Sequence, residues 1–560
     1  VTGRVVILAL AFTLLNAFKP VTIDDPVYFA FARQVVADPT DPYGSTVFWY
    51  EDFEPALTIL APAVYLYYLA GVMGLVGTEV VAVKLCLFPW AWLFVFALDR
   101  LLARFGAHHR TAYLTATVLS PAFLPGFNLM LDVPALALGL ATVALFLRAQ
   151  ERGSVGGAVV AGVVLGLAMQ TKYTTFVIPM VIAWAVLLRG RWPLGVLTVA
   201  TGVALFVSWE GYLVARYGAS HFALSAGGQG GLLGLVERAV GIVPFFLSYL
   251  GGLGCIWLLI GLWVLPAPRW LVATAATVVL AAFLIVALLD SRLTNDTRPS
   301  PMLFGETKAL REVIQPVEPL FVGLGAALVA VLGVAAIRQW HASDDRRTVL
   351  FLAGWLLLEL AGSLALSPFP AGRRLFGFLA VMPLLLGRFA AGGRGVLYGL
   401  VGLQVALGLG FAALDWHGAW AHQTAARRAA AWVAAQDGPR GTVWYVGHWG
   451  FQFYADEAGM RQLRSDFAEV PDRVEPGDWI VLPDPRLEQQ RLRLPADAVE
   501  LRHAFAIPAA VPVRTVACYH GGRVPVEHFE GHALEVRIYR ATKPFVAPFV
   551  AEPERFHAGY

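Results

Sequence analysis

From about residue 3 to residue 414 the chain is a succession of apolar runs long enough to cross a bilayer, separated by short polar turns. A spanning helix takes about 17–25 mostly apolar residues, and in hydrocarbon only a helix or a closed barrel satisfies its own backbone. Composition agrees: 58% of residues are hydrophobic and 14% charged, against roughly 25% charged in an ordinary soluble domain. Mean hydropathy is +0.64. The expectation is a polytopic α-helical membrane protein, and a soluble globule, a disordered chain and a fibre are excluded.

About thirteen spans are expected, near residues 3–19, 79–99, 110–125, 132–148, 155–171, 173–189, 192–213, 241–264, 270–289, 317–337, 348–366, 374–390 and 395–414. The first is read as a retained span, because no small-residue cleavage site follows Val5–Phe18. After Asp415 the composition becomes that of a soluble domain. Residues 1–414 are therefore expected to form a membrane module and 415–560 a small α/β domain. Its β-like runs are Thr442–Val446, Trp479–Leu482, Val511–Cys518 and Leu534–Tyr539, and Thr424–Ala435 reads as helical.

Basic turns mark the cytoplasmic side of membrane proteins. Arg4, the Arg100/Arg104/Arg110 cluster and the turns at Arg148/Arg152, Arg189/Arg191, Arg269, Arg338/Arg346/Arg347 and Arg388/Arg394 are consistent with one side. That places the N-terminus in the cytoplasm, and the loop Lys19–Glu54 and the C-terminal domain outside. Pro55–Val76 is then drawn as a helix at or near the outer interface rather than a crossing, with Tyr65, Tyr67 and Tyr68 at headgroup level. A net charge of +3, spread over many loops, excludes a nucleic-acid surface. Cys86, Cys255 and Cys518 are too scattered for a disulfide framework or a cysteine metal site.

With this sidedness, acids and cations from distant loops share the outer face. The first outer loop carries Asp24 and Asp25, then Asp38, Asp41, Glu51, Asp52 and Glu54. The second contributes Asp132, the third Lys172 and Tyr173, and a late turn Arg373 and Arg374. Each has a plainer reading. Asp24 or Asp25 before Pro26, and Asp132 before Pro134, suit helix N-caps; Lys172 and the two arginines suit interfacial anchors. Together they suit a polar substrate carried on an anionic lipid. Arginine forks and a lysine hold phosphate, and a carboxylate serves as general base or holds a divalent ion such as Mg or Mn. Those are the parts of glycosyl transfer from a lipid-phosphate sugar, whose leaving phosphate must be stabilised.

These residues resemble the integral-membrane glycosyltransferases of the GT-C type, in particular the polyprenyl-phosphate-sugar users that include protein O-mannosyltransferases and lipid A aminoarabinose transferases. Asp24-Asp25-Pro26-Val27-Tyr28 is similar to that family's Asp-Glu-x-x-Tyr element, and Glu54-Pro55-Ala56-Leu57 to its Glu-Lys-Pro-Pro-Leu element. Asp132-Val133-Pro134, Thr171-Lys172-Tyr173 and Pro370-Ala371-Gly372-Arg373-Arg374 with Pro383 follow in the family's order. The resemblance implies a GT-C-like fold over roughly the first 390 residues. It further implies Asp24 as base, Asp25 beside it, Asp132 assisting at acceptor or metal, and Lys172 with Arg373 or Arg374 on the lipid phosphate. Glu54, Tyr28 and Tyr173 would complete substrate binding. The implied reaction is an inverting single displacement from a polyprenyl-phosphate sugar to a glycolipid, polysaccharide or protein acceptor, at the outer face of a bacterial cytoplasmic membrane. Asp25 stands where the family has Glu, which leaves open which carboxylate acts, and Glu54 lacks the following Lys.

Other features carry less. His448 and Trp449 suit either sugar contact or a domain core, and His448 with Asp456 and Glu457 matches no standard ligand spacing. Gly227–Gly231 reads as a lid hinge or a linker, and 290–315 as a solvated loop or an acceptor contact. The rival functional reading is a transporter or flippase of a lipid-linked or polar solute, which would place ionisable residues near mid-membrane; Glu359 is the one clear acid there. A non-catalytic assembly subunit is a second rival.

Overall fold

The computed structural model describes residues 3–59, 62–227, 232–265, 277, 317–366, 371–389, 393–436, 441–483, 490–515, 524–528 and 532–550. The chain is a helical membrane protein with a C-terminal α/β domain. Among the described residues six helices are long and apolar enough to span: Val80–Arg104, Asp132–Arg152, Trp192–Tyr217, Glu318–Ala342, Arg346–Leu366 and Arg394–Ala434. A seventh span is possible by the same measure if Gly241–Leu253 and Cys255–Val264, which meet at 70°, count as one. Shorter apolar helices occupy Gly3–Ala17, Ala63–Val76, Val155–Met169 and Tyr173–Arg189. The run expected as a span at 110–125 forms only the helix Arg110–Val118 before the chain turns irregular. The expected span 270–289, the glycine hinge at 228–231 and the loop at 290–315 lie outside the described residues, Thr277 apart.

Small residues set the helix spacing, as expected where lipid gives no hydrophobic drive for helices to associate. A Cβ on Gly251 would lie 1.9 Å from Phe321 O, and one on Gly325 1.9 Å from Leu247 O. Only glycine lets Leu232–Leu253 and Val317–Ala342 touch backbone to backbone.

The bundle has two chemically distinct ends. Asp132–Arg152 is about 30 Å long at 1.5 Å per residue. At its Arg152 end, Arg104 pairs with Glu151 at 2.6 Å, Asp99 with Arg4 at 3.0 Å and Arg110 at 2.8 Å, and Arg388 donates to Phe105 O at 3.0 Å. Arginines assigned to one side by the basic-turn rule thus gather there. Its Asp132 end carries the site described below.

Ala63–Val76 packs into the bundle at that end. Tyr65, expected at headgroup level, is instead fully buried, its ring edge-on to Tyr28 at 6.0 Å and 6.4 Å from Trp90. Aromatic packing outweighs the interfacial preference of an isolated tyrosine. Tyr67 and Tyr68 stay half-buried.

The last apolar run and the helical segment at Thr424–Ala435 are a single helix of 41 residues, Arg394–Ala434, with no break at Asp415. It leads into a five-stranded mixed sheet in the spatial order Arg461–Gln462, Val443–Tyr445, Trp479–Pro483, His532–Ala541, Val499–Pro508. The first two neighbouring pairs are parallel and the last two antiparallel. Val499–Pro508 is an edge strand that the sequence reading missed: its N-terminal half is largely exposed, and only Phe505 and Ile507 are buried.

Candidate active site

Asp24 precedes the helix Asp25–Ala37, whose first turn is set by Pro26. Its backbone oxygen accepts from Val27 N at 3.1 Å, but its carboxylate makes no capping bond. The carboxylate turns across the site to Arg373, whose Nη1 donates to Oδ2 at 3.1 Å. Ile23 just before it holds φ at 50°, a left-handed conformation strained for a β-branched residue. Such strain persists only where the surroundings over-determine it, as they do at functional sites.

Asp25 is placed quite differently. It is fully buried, with Oδ2 accepting from Thr22 N at 3.2 Å, Oδ1 from Leu129 N at 3.0 Å, and Lys84 Nζ 3.6 Å away. Lys84 donates to Lys19 O at 2.7 Å, and Lys19 Nζ in turn donates to Asp415 Oδ2 at 2.7 Å. Burial pushes the Asp25 carboxyl above its ordinary range, against the pull of Lys84. The network knits the first loop to the Arg394–Ala434 helix, and both Asp25 oxygens are spent in holding it. Lys84 went unremarked in the sequence, although a lone lysine inside an expected span is by default a functional signal.

Asp132, the first residue of its helix, does not cap it but forms a buried ion pair with Lys172. Arg373 lies in the short 3₁₀ turn Gly372–Leu375 and also approaches Met130 Sδ at 3.5 Å. Asp132, Lys172, Arg373, Arg374 and Glu359 share the wall of a narrow cavity of about 60 Å³, closed on the bundle side by Leu136, Ile178 and Phe376. Glu359 is held by Trp355 Nε1 at 2.9 Å.

Tyr28 joins the cluster. Burial drives its hydroxyl pKa well above the ordinary value, and Asp24, Asp132, Arg373 and Arg374 all act on it electrostatically. Glu54 stands half-buried on the strand Asp52–Pro55, paired with Thr46–Trp49 in a hairpin. Glu54 and Asp24 both act electrostatically on Tyr50, whose hydroxyl burial raises to about 12. Tyr173 points elsewhere. Its hydroxyl bonds His221 Nδ1 and its ring packs among Phe176, Phe206 and Phe222.

The C-terminal domain closes over this end. A Cβ on Gly450 would lie 2.5 Å from Val21 O, so the helix Trp449–Glu457 touches the backbone of the Asp24 loop directly. Val21 N donates to Tyr454 Oη at 2.8 Å. His448 is buried against Phe48, Trp49 and Tyr50, with ring centroids 5.5–6.1 Å apart. Its Nδ1 bonds Gln452 Oε1 at 2.6 Å, which puts the proton on Nδ1, while Nε2 is buried with no partner among the described residues. Burial lowers its pKa to about 4, so the ring is neutral at pH 7.

The residues do not fit a resident divalent ion in this arrangement. Asp24 and Asp132 each already hold a cationic side chain, and the described residues contain no group of three or more His, Cys, Asp or Glu placed to bind a metal.

No family model matches the chain, and no curated protein matches it in sequence. Solved structures do. An oligosaccharyltransferase, AglB from Archaeoglobus fulgidus, in complex with an inhibitory peptide and a dolichol-phosphate, aligns over 83% of this chain at 13% identity and a TM-score of 0.44. The match spans 64% of that protein's chain. ArnT from Cupriavidus metallidurans aligns in the apo state over 85% of this chain and 90% of its own, at 15% identity and a TM-score of 0.42. Its form bound to undecaprenyl phosphate aligns over 85% and 91%, at 14% identity and a TM-score of 0.39. At such identities and scores the likeness assigns neither substrate nor reaction.

Proposed function

We propose that this chain is a GT-C-type membrane glycosyltransferase that moves a sugar from a polyprenyl-phosphate carrier to an acceptor outside the cytoplasm, with Asp24 as general base. The observation that carries the reading is the Asp24–Arg373 pair at 3.1 Å beside the Asp132–Lys172 pair, at one end of the bundle. Of the two adjacent carboxylates, Asp24 is the one with freedom to act, since both Asp25 oxygens are occupied by backbone N–H groups.

Asp24 takes the proton from an acceptor hydroxyl or amine, and the acceptor atom forms its bond to the anomeric carbon as the bond to the phosphate oxygen breaks on the opposite face. The electron pair leaves on phosphate. Arg373, Arg374 and Lys172 then carry the new charge, a guanidinium matching two phosphate oxygens at once. Before donor arrives, Asp24 and Asp132 keep two of these cations in position, and phosphate takes over their role. Asp132 orients Lys172. Tyr28, fixed by Tyr65, supports the cluster from the helix after Asp24. The single displacement inverts the anomeric centre. Acceptors of the proposed class are glycolipids, polysaccharides or proteins, and the site faces away from the cytoplasm of a bacterial cell. The two ion pairs gather at one end of the bundle, which favours transfer over transport, although Glu359 in the same cavity wall lies within the span Arg346–Leu366.

The test uses right-side-out and inverted membrane vesicles supplied with a panel of polyprenyl-phosphate sugars. Transfer is expected only where donor and acceptor reach the face carrying Asp24. Translocation of donor without transfer would overturn the assignment in favour of a flippase.

A further inference from the structure

A second and larger cavity, about 600 Å³, lies between the helix Asp25–Ala37, the hairpin Thr46–Pro55 and the C-terminal domain. Ligand-binding cavities are typically about 300–1,000 Å³, with mostly apolar walls and a few placed polar groups. Here the faces are aromatic, from Phe48, Phe53 and Phe453, and the polar groups include Arg33, Asp456 and Gln462.

Two features mark it as built rather than incidental. Gln462, nine-tenths buried, donates through Nε2 to Gly447 O at 3.3 Å and to Gln490 Oε1 at 2.7 Å. Those bonds fix its amide so that Oε1 is left buried with no partner among the described residues. An unpaired buried acceptor is costly to keep. Asp456 accepts from Tyr445 Oη at 2.7 Å through Oδ1 alone, and Arg33 acts on it electrostatically across the cavity.

The cavity also borders the start of the helix that follows Asp24. Pro26 and Val27, which follow Asp24 and Asp25, form part of its wall. Gln452, which holds His448 Nδ1, lines it as well.

We infer that this cavity seats a hydroxyl-rich acceptor glycan, with Gln462, Asp456 and Arg33 at its wall meeting the hydroxyls and the reacting hydroxyl directed towards Asp24. The inference rests on the glycosyltransferase reading and adds the acceptor class. Sugar rings suit the walls: their C–H faces lie on aromatic rings, and each hydroxyl both donates and accepts, which an amide, a carboxylate and a guanidinium together satisfy. An acyl chain would leave these polar groups unpaired.

The test takes the purified full chain in detergent to an array of defined hexose, pentose and amino-sugar oligosaccharides printed beside a set of unmodified peptides. Wild type is expected to retain a subset of glycans. Gln462→Leu is expected to weaken that retention at least tenfold. Arg33→Ala, at an exposed position where folding is not at stake, is expected to weaken it severalfold. Asp24→Asn is expected to bind as wild type does while losing transfer. No glycan retained, peptides retained in their place, or retention unchanged in both cavity variants would overturn the inference and leave the assignment of Asp24 standing. Undiminished transfer by Asp24→Asn would instead remove the enzymatic reading, whatever the array shows.

Discussion

Arg373 donates to Asp24 at 3.1 Å across 349 residues of sequence, joining the loop after the first helix to the turn before one of the last. A guanidinium and a carboxylate at the end of an apolar bundle need partners, and each serves as the other's.

The Asp132–Lys172 pair is expected to behave as a coupled unit. Lys172→Met leaves Asp132 buried without its cation, and breaking such a pair costs about 3–5 kcal/mol. Asp132→Asn combined with Lys172→Met is expected to recover part of that loss, with a coupling of about 0.5–3 kcal/mol. Unfolding of the four proteins in detergent measures it, and strictly additive effects would contradict the pairing.

Gly450 is expected to tolerate no side chain. Alanine there meets Val21 O at 2.5 Å and pushes the C-terminal domain off the Asp24 loop, an overpacking cost of about 1–3 kcal/mol. The matched control is Gly410→Ala, inside the long helix with open space around it. That change is expected to be neutral or to stabilise by about 0.5–1 kcal/mol. Thermal unfolding separates the two; equal effects would mean that the domain is not seated on the loop.

Glu51 gives stability a pH dependence with a definite sign. It ties the hairpin to the C-terminal domain by accepting from Arg491 N at 2.6 Å, and burial pushes its carboxyl from about 4.5 to about 7. Between these values the native state keeps a proton that the unfolded chain has lost. Its contribution is therefore complete below about pH 4.5 and is lost as pH rises through about 7. Glu51→Gln is expected to flatten this part of a melting-temperature profile taken from pH 5 to 8. An unchanged profile would show that Glu51 ionises freely.

Much of this was legible in the sequence. Apolar runs revealed the helices, and the order of short acidic and basic elements picked out Asp24, Asp132, Lys172 and Arg373, which the fold brings to one end of the bundle. Span boundaries were less legible, because hydropathy cannot tell a crossing from the short buried helix Arg110–Val118 or from the 70° bend before Cys255. The different surroundings of Asp24 and Asp25 were invisible, since they depend on backbone N–H groups of Thr22 and Leu129 meeting one carboxylate and not its neighbour. Tyr173 misled for a similar reason. Adjacent to Lys172, it faces His221 on the other side of a 3₁₀ turn. The seating of Gly450 on Val21 joins segments more than 400 residues apart, and nothing local in either encodes it.

Asp24→Asn tests the central claim most directly. In sealed vesicles given a polyprenyl-phosphate sugar that the wild-type protein uses, the variant is expected to fold and insert normally and to bind donor within a fewfold of wild type. Its transfer rate is expected to fall by about 10²–10⁴, the usual contribution of a positioned general base. Transfer at near wild-type rates by Asp24→Asn, with the loss appearing in Asp25→Asn instead, would contradict the account.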